Sequence, residues 1–126
     1  MNNAGTSSDI YQEFIMEIYK NPLNFGKIEK PSVSASSGNP SCGDNVEIAA
    51  RLDKSGRISE IKFNGKGCAI SQVSTSLLTE ALKGKTLEQA KKMKKEDVLE
   101  LLRIDLSKNP TRMKCALLPL DVVKML

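Results

Sequence analysis

The sequence predicts a single α+β domain, a small three-stranded antiparallel sheet covered by helices, with one further helix leading in. Three observations carry this. Apolar and polar residues alternate along Asn45–Leu52 and again along Glu60–Phe63, and the hairpin signal Asp53-Lys54-Ser55-Gly56 lies between the two runs. From Cys68 onward the apolar spacing lengthens to that of helices. A chain of 126 residues allows one domain with one sizeable core and little more.

Taken in order, residues 1–8 are small and polar and are expected to be disordered, which leaves residues 9–126 as the one domain. Asp9 is placed to cap a helix from Ile10 to Lys20 whose buried stripe is Tyr11, Phe14, Ile15 and Ile18, and Asn21-Pro22 ends it. Leu23–Lys30 reads as a loop anchored by Phe25 and Ile28, and Val33–Ser37 as a short edge strand. The two alternating runs supply the clearer strands. A helix from Cys68 then buries Ile70, Val73, Leu77, Leu78, Ala81 and Leu82 before Gly84 stops it. Thr86 and Gln89 form a capping box for a short helix reaching Met93. Another helix covers Glu96–Leu102. The last starts near Thr111 and buries Met113, Ala116, Leu117 and Leu120, with Pro119 expected to kink or restart it.

Composition narrows the function. No apolar run approaches the ~18 residues of a membrane span, and Met1–Asp9 is polar rather than signal-like, so a cytoplasmic protein with no membrane partner is expected. The net charge of +4 comes largely from Lys83, Lys85, Lys91, Lys92, Lys94 and Lys95. With 4% aromatics and no nucleic-acid motif, that stretch reads as a solvated face or a docking patch for an acidic protein, and no nucleic acid is expected.

Three cysteines remain to be explained. In a reducing compartment, thiols point to metal binding or thiol chemistry rather than structural disulfides. Cys42 lies in the small-residue loop Asn39-Pro40-Ser41-Cys42-Gly43-Asp44, Cys68 follows Gly65-Lys66-Gly67, and Cys115 follows Lys114. If Leu52 opposes Arg57 across the hairpin turn, Asp44 faces Gly65 and Cys42 faces Gly67, which makes Cys42, Asp44 and Cys68 neighbours at one end of the sheet. Cys68 at a helix start feels the positive end of the helix dipole, which favours its thiolate. Cys115 is expected at the polar edge of the last helix, and local geometry does not place it. Three thiolates and a carboxylate select zinc, Cu(I) or an iron–sulfur cluster. The plain alternative is that the cysteines simply pack as small apolar residues.

These motifs, with Ile18-Tyr19-Lys20-Asn21-Pro22, Asn24-Phe25-Gly26, Gly67-Cys68-Ala69-Ile70-Ser71, Leu78-Thr79-Glu80, Lys83-Gly84-Lys85 and Lys114-Cys115, resemble the IscU, SufU and NifU N-terminal family of iron–sulfur cluster assembly scaffolds. The resemblance runs from Tyr11 to the end. It implies a carrier, not an enzyme, that builds a [2Fe-2S] cluster from iron and desulfurase-derived sulfur and transfers it to apo-proteins. Cys42, Asp44, Cys68 and Cys115 would be the cluster and metal ligands, with zinc in the cluster-free form and Asp44 as ligand or tuner of lability. Cys115 would accept persulfide sulfur, its thiolate supported by Lys114. The implied partners are a cysteine desulfurase, an iron or electron donor protein and apo iron–sulfur acceptors. The cluster would sit within one chain or between two in a homodimer.

The chain also departs from both branches. Lys114 stands where the IscU branch has histidine, and there is no histidine anywhere. Lysine there is typical of SufU, a zinc-dependent sulfurtransferase serving its desulfurase, which is the alternative reading. Yet the interval from Cys68 to Cys115 lacks most of the SufU insertion. Asn109-Pro110-Thr111-Arg112-Met113 replaces the chaperone recognition motif of the IscU branch. An ordinary structural zinc domain is the third reading, and an oxygen-completed, exposed site suits it least.

Overall fold

The computed structural model describes residues 3–39 and 43–126, and the side chains of 12–38 and 43–126. Eight elements follow in order: α1 (Asn3–Lys20), β1 (Val33–Asn39), β2 (Asp44–Leu52), β3 (Ile58–Lys66), α2 (Ala69–Leu82), α3 (Leu87–Lys91), α4 (Lys95–Leu102) and α5 (Pro110–Lys124). The strands form one antiparallel sheet in the order β1-β2-β3, so the serine-rich β1 is an edge, as its composition predicts.

Alternation decides which face is covered. Val46, Ile48 and Ala50 of β2 and Ile61 and Phe63 of β3 are buried, while Asn45, Glu47 and Glu60 face solvent. Over the buried face lie α5, against β1 and β2, and α2, against β3; α1 and α4 then pack on α2. The core is completed by Val73, Leu78 and Leu82 from α2, Val98 and Leu102 from α4, and Leu120, Val122 and Val123 from α5.

The hairpin register differs from the expected one. The β2–β3 turn closes through Asp53 and Arg57, whose backbones bond at 2.8 Å, and not through Leu52 and Arg57. The Asp53 carboxylate accepts from the amides of Ser55 and Arg57, and Gly56 takes the left-handed conformation (φ 79°) that completes the turn. A bulge at Arg51/Leu52 then admits an extra β3 residue, so the ladder runs Arg51↔Glu60 through Val46↔Gly65 to Asn45↔Lys66. Asp44 therefore does not face Gly65. The shift amounts to two residues along the strand body, which preserves the faces and leaves the same two loops at the same end of the sheet.

The helices differ from expectation mainly at their ends. Helix α1 starts at Asn3, inside the stretch expected to be disordered; Asp9 and Tyr11 lie outside the described side chains. Ile15 is buried and Phe14 and Ile18 half-buried, as their spacing predicts. Helix α3 carries the expected Thr86–Gln89 capping box, and α5 begins at Pro110 behind an Asn109 cap. Pro119 does not restart α5, which runs on to Lys124.

In the loop after α1, Asn24 and Gly26 bond to the backbone of Phe63, and the Phe25 ring meets Phe63 edge-on at 5.4 Å while staying half-exposed. The Asn24 amide donates to Thr79 Oγ1 and Glu80 Oε1, both at 3.1 Å. That accounts for two separated motifs, Asn24-Phe25-Gly26 and Leu78-Thr79-Glu80, as two halves of one tether.

Candidate functional site

The site is assembled where the sheet hands over to α2. Asp44 is the first residue of β2 and shares the inward face with Val46 and Ile48, so the pleat that builds the core also buries a carboxylate, 3% exposed. A buried carboxylate needs partners. Its Oδ1 accepts the Cys68 amide at 3.1 Å, and Cys68 is the N-cap of α2. The carboxylate thus satisfies one of the amides that the start of α2 leaves without a helical partner, at the positive end of the helix dipole. Its other oxygen lies 3.9 Å from Cys68 Sγ. Ser71 Oγ donates to the Cys68 carbonyl at 3.1 Å and holds the first turn of α2 from below.

Gly67 is required here by space rather than by backbone conformation. A Cβ on it would lie 2.4 Å from Ser71 Oγ and 2.8 Å from Asp44 Oδ1. Gly65 is tighter, since its Cβ would meet the Asn45 carbonyl oxygen at 2.1 Å, and its φ is 145°. The Gly65-Lys66-Gly67 run is therefore what lets β3 turn into α2 directly over the carboxylate.

Cys115 arrives from α5. It is not at a polar edge: only 2% of it is exposed, because α2 covers this part of α5. A one-helix projection places it beside exposed Lys114, but burial is set by the neighbouring helix, which such a projection omits. Cys68, by contrast, is exposed. The ligand atoms of Asp44, Cys68 and Cys115 all lie within 4.8 Å of one another. Cys42 lies outside the described residues; the flanking Asn39 and Asp44 are paired, so its loop joins β1 to β2 at this end of the sheet.

Chemically, the donor set fits a soft cation. Tetrahedral zinc with sulfur and oxygen ligands needs donors roughly 3.5–4 Å apart. The Asp44–Cys68 separation of 3.9 Å meets that, and the 4.8 Å limit for the trio calls only for a small side-chain movement. The structure brings together Asp44, Cys68 and Cys115, all named from the sequence, and adds Ser71, which the sequence reading missed, as the support of Cys68. A serine three residues after a helix-starting residue was the available signal.

A family model described as the NifU-like N-terminal domain matches residues 10–125. Among curated proteins, the iron-sulfur cluster assembly enzyme IscU of Drosophila melanogaster is 35% identical over 118 residues, covering 91% of this chain and 74% of that protein. The zinc-dependent sulfurtransferase SufU of Bacillus subtilis is 37% identical over 124 residues, covering 86% and 83%. Among solved structures, SufU of the thermophile Fervidobacterium islandicum superimposes with a TM-score of 0.73 at 32% identity, covering 90% of this chain and 93% of that one. With matches of this extent joined to a shared sheet and helix order, the chain belongs to the NifU-like N-terminal domain family.

Proposed function

We propose that this protein is an iron–sulfur cluster assembly scaffold. It assembles a [2Fe-2S] cluster, its cargo, from iron and from sulfur delivered by a cysteine desulfurase, and passes the cluster to apo-proteins. The observation that carries the reading is the meeting of Asp44, Cys68 and Cys115 from three separate elements, with Cys68 exposed to a partner. Cys42, one residue from the turn into β2, is the fourth ligand in this reading. An oxygen donor among thiolates binds a soft cargo less firmly than a fourth thiolate would, which suits release.

In the sulfur-delivery step, docking of the desulfurase uncovers Cys115, which is 2% exposed in the free protein, and its thiolate attacks the outer sulfur of the desulfurase persulfide. The donor's S–S bond breaks, its thiolate leaves, and a persulfide forms on Cys115. An electron donor protein later supplies the electrons that reduce this sulfur to sulfide. In this reading Lys114, the exposed residue that precedes Cys115 in the chain, supports the transfer.

One observation favours a second reading, a zinc-dependent sulfurtransferase. The three donors are close enough to share a single metal, whereas a two-iron core spreads its ligands over two. Lysine in place of histidine before the last cysteine points the same way. In this reading zinc stays, and the product is sulfur rather than cluster.

Anaerobic purification followed by iron, zinc and sulfide analysis, then reconstitution with desulfurase, cysteine and iron and challenge with an apo-ferredoxin, separates the two. Cluster transfer supports the scaffold. Zinc retained throughout with no transfer overturns it. Asp44→Ala should slow cluster release in the first case and mainly weaken zinc in the second.

A further inference from the structure

Helix α2 buries five hydroxyl side chains, Ser71, Ser74, Thr75, Ser76 and Thr79. Thr75 and Thr79 donate back into α2, and Ser71 donates to its N-cap carbonyl. Ser74 does something different. Only 1% exposed, it donates from Oγ to the Ala116 carbonyl of α5 at 2.5 Å. Ala116 is the residue next to Cys115.

The consequence follows from how the three donors are fixed. Asp44 and Cys68 are tied directly to one another by the amide-to-carboxylate bond. Cys115 comes from a different element, and the reach of its sulfur to the others depends on where α5 sits along α2. Both helices contribute apolar residues to one core, Val73 and Leu78 from α2 and Ala116 and Leu120 from α5, and the two helices pack together. Apolar burial is non-directional and resists sliding poorly on the scale of a metal–ligand bond, where about 0.2 Å matters. A buried hydroxyl-to-carbonyl bond is directional, and breaking it would leave the Ser74 hydroxyl stranded. Ser74 lies six residues, or about 9 Å of helix, beyond Cys68, and it grips α5 at the residue that follows Cys115.

We infer that Ser74 is a positioning residue for the metal centre: its bond to the Ala116 carbonyl locks α5 against α2 and so holds Cys115 in the donor set with Asp44 and Cys68. The inference rests on the metal-binding reading of those three residues. Ser74 touches no metal, and its role is exerted through Cys115.

Cobalt(II) titration of the full chain tests this, because thiolate-to-cobalt charge-transfer absorption reports how many sulfurs bind. Wild type, Ser74→Ala, Ser74→Thr and Cys115→Ser are compared, with melts recorded in chelator. The expected result is that Ser74→Ala loses charge-transfer intensity to the level of Cys115→Ser and binds cobalt about 10-fold more weakly. Its metal-free melt stays cooperative, and Ser74→Thr, which keeps the hydroxyl, recovers the intensity. Wild-type intensity and affinity in Ser74→Ala overturn the inference alone. No charge-transfer absorption in wild type overturns the metal-binding reading, and the inference with it. If Ser74→Ala does not fold, Ser74→Thr decides: wild-type intensity supports the clamp, and the Cys115→Ser level overturns it.

Discussion

Gly67→Ala asks the most of the site geometry with the smallest change. The added methyl carbon would stand 2.4 Å from Ser71 Oγ and 2.8 Å from Asp44 Oδ1, against an ordinary contact of at least 3.4 Å, so the carboxylate must withdraw by about 0.6 Å. Ser71 can rotate away by giving up its bond to the Cys68 carbonyl. Asp44 has less freedom, since it sits in the β2 ladder and accepts the Cys68 amide. On the proposed metal-binding reading, a carboxylate displaced this far lies beyond the roughly 0.2 Å that metal bonds tolerate. Zinc affinity should fall about 10- to 100-fold, the usual effect of disturbing groups that orient a ligand. Overpacking should cost about 1–3 kcal/mol of metal-free stability. Competition against a chromophoric chelator measures the first and urea unfolding in chelator the second. Wild-type zinc affinity in a folded Gly67→Ala protein would refute the placement of Asp44 in the metal centre.

Three further outcomes are expected. Ser76 Oγ is buried with no hydrogen-bond partner among the described residues, so Ser76→Ala should raise stability by about 1 kcal/mol in urea unfolding; a lower midpoint would mean that the hydroxyl is satisfied after all. The Lys83 ammonium, and after it the Asn24 amide, hold the Glu80 carboxyl below its ordinary 4.5. Because that pKa is depressed on folding, its stabilisation is present above the unfolded value and lost as pH falls through the folded one. Wild type should accordingly be more stable than Glu80→Gln at neutral pH, with the gap closing as pH falls below the ordinary 4.5; a gap independent of pH would count against the tether. Finally, iodoacetamide on the metal-free protein should label exposed Cys68 before Cys115, which is 2% exposed, and peptide mass mapping that finds the reverse order would contradict the packing of α5.

Much of the site could be read from the chain. Period-two alternation at Val46, Ile48 and Ala50 set the core face of β2, and because Asp44 shares that period, its burial was implicit in the same pattern. The capping residues at Thr86 and Gln89 marked the start of α3 within a residue. These are local signals, set by propensity and side-chain period.

The register of β2 on β3 was not local in the same way. The turn offered two closures, and the choice of Asp53 with Arg57 plus a bulge at Leu52 depends on how the strands fit the rest of the sheet. The expected convergence survived only because a two-residue slip keeps every side chain on its own face.

By itself, then, the sequence determined the element order, the inward faces of β2 and β3 and the end of the sheet at which Asp44 and Cys68 lie, since these follow from side-chain period and from the hairpin and its exit. Only the tertiary structure decided where Cys115 goes. Its burial and its distance to the other donors depend on how α5 rests against α2, through contacts such as Ser74 with Ala116 that join residues 42 positions apart. No periodicity within either helix encodes that spacing, because it is a property of the two surfaces in contact.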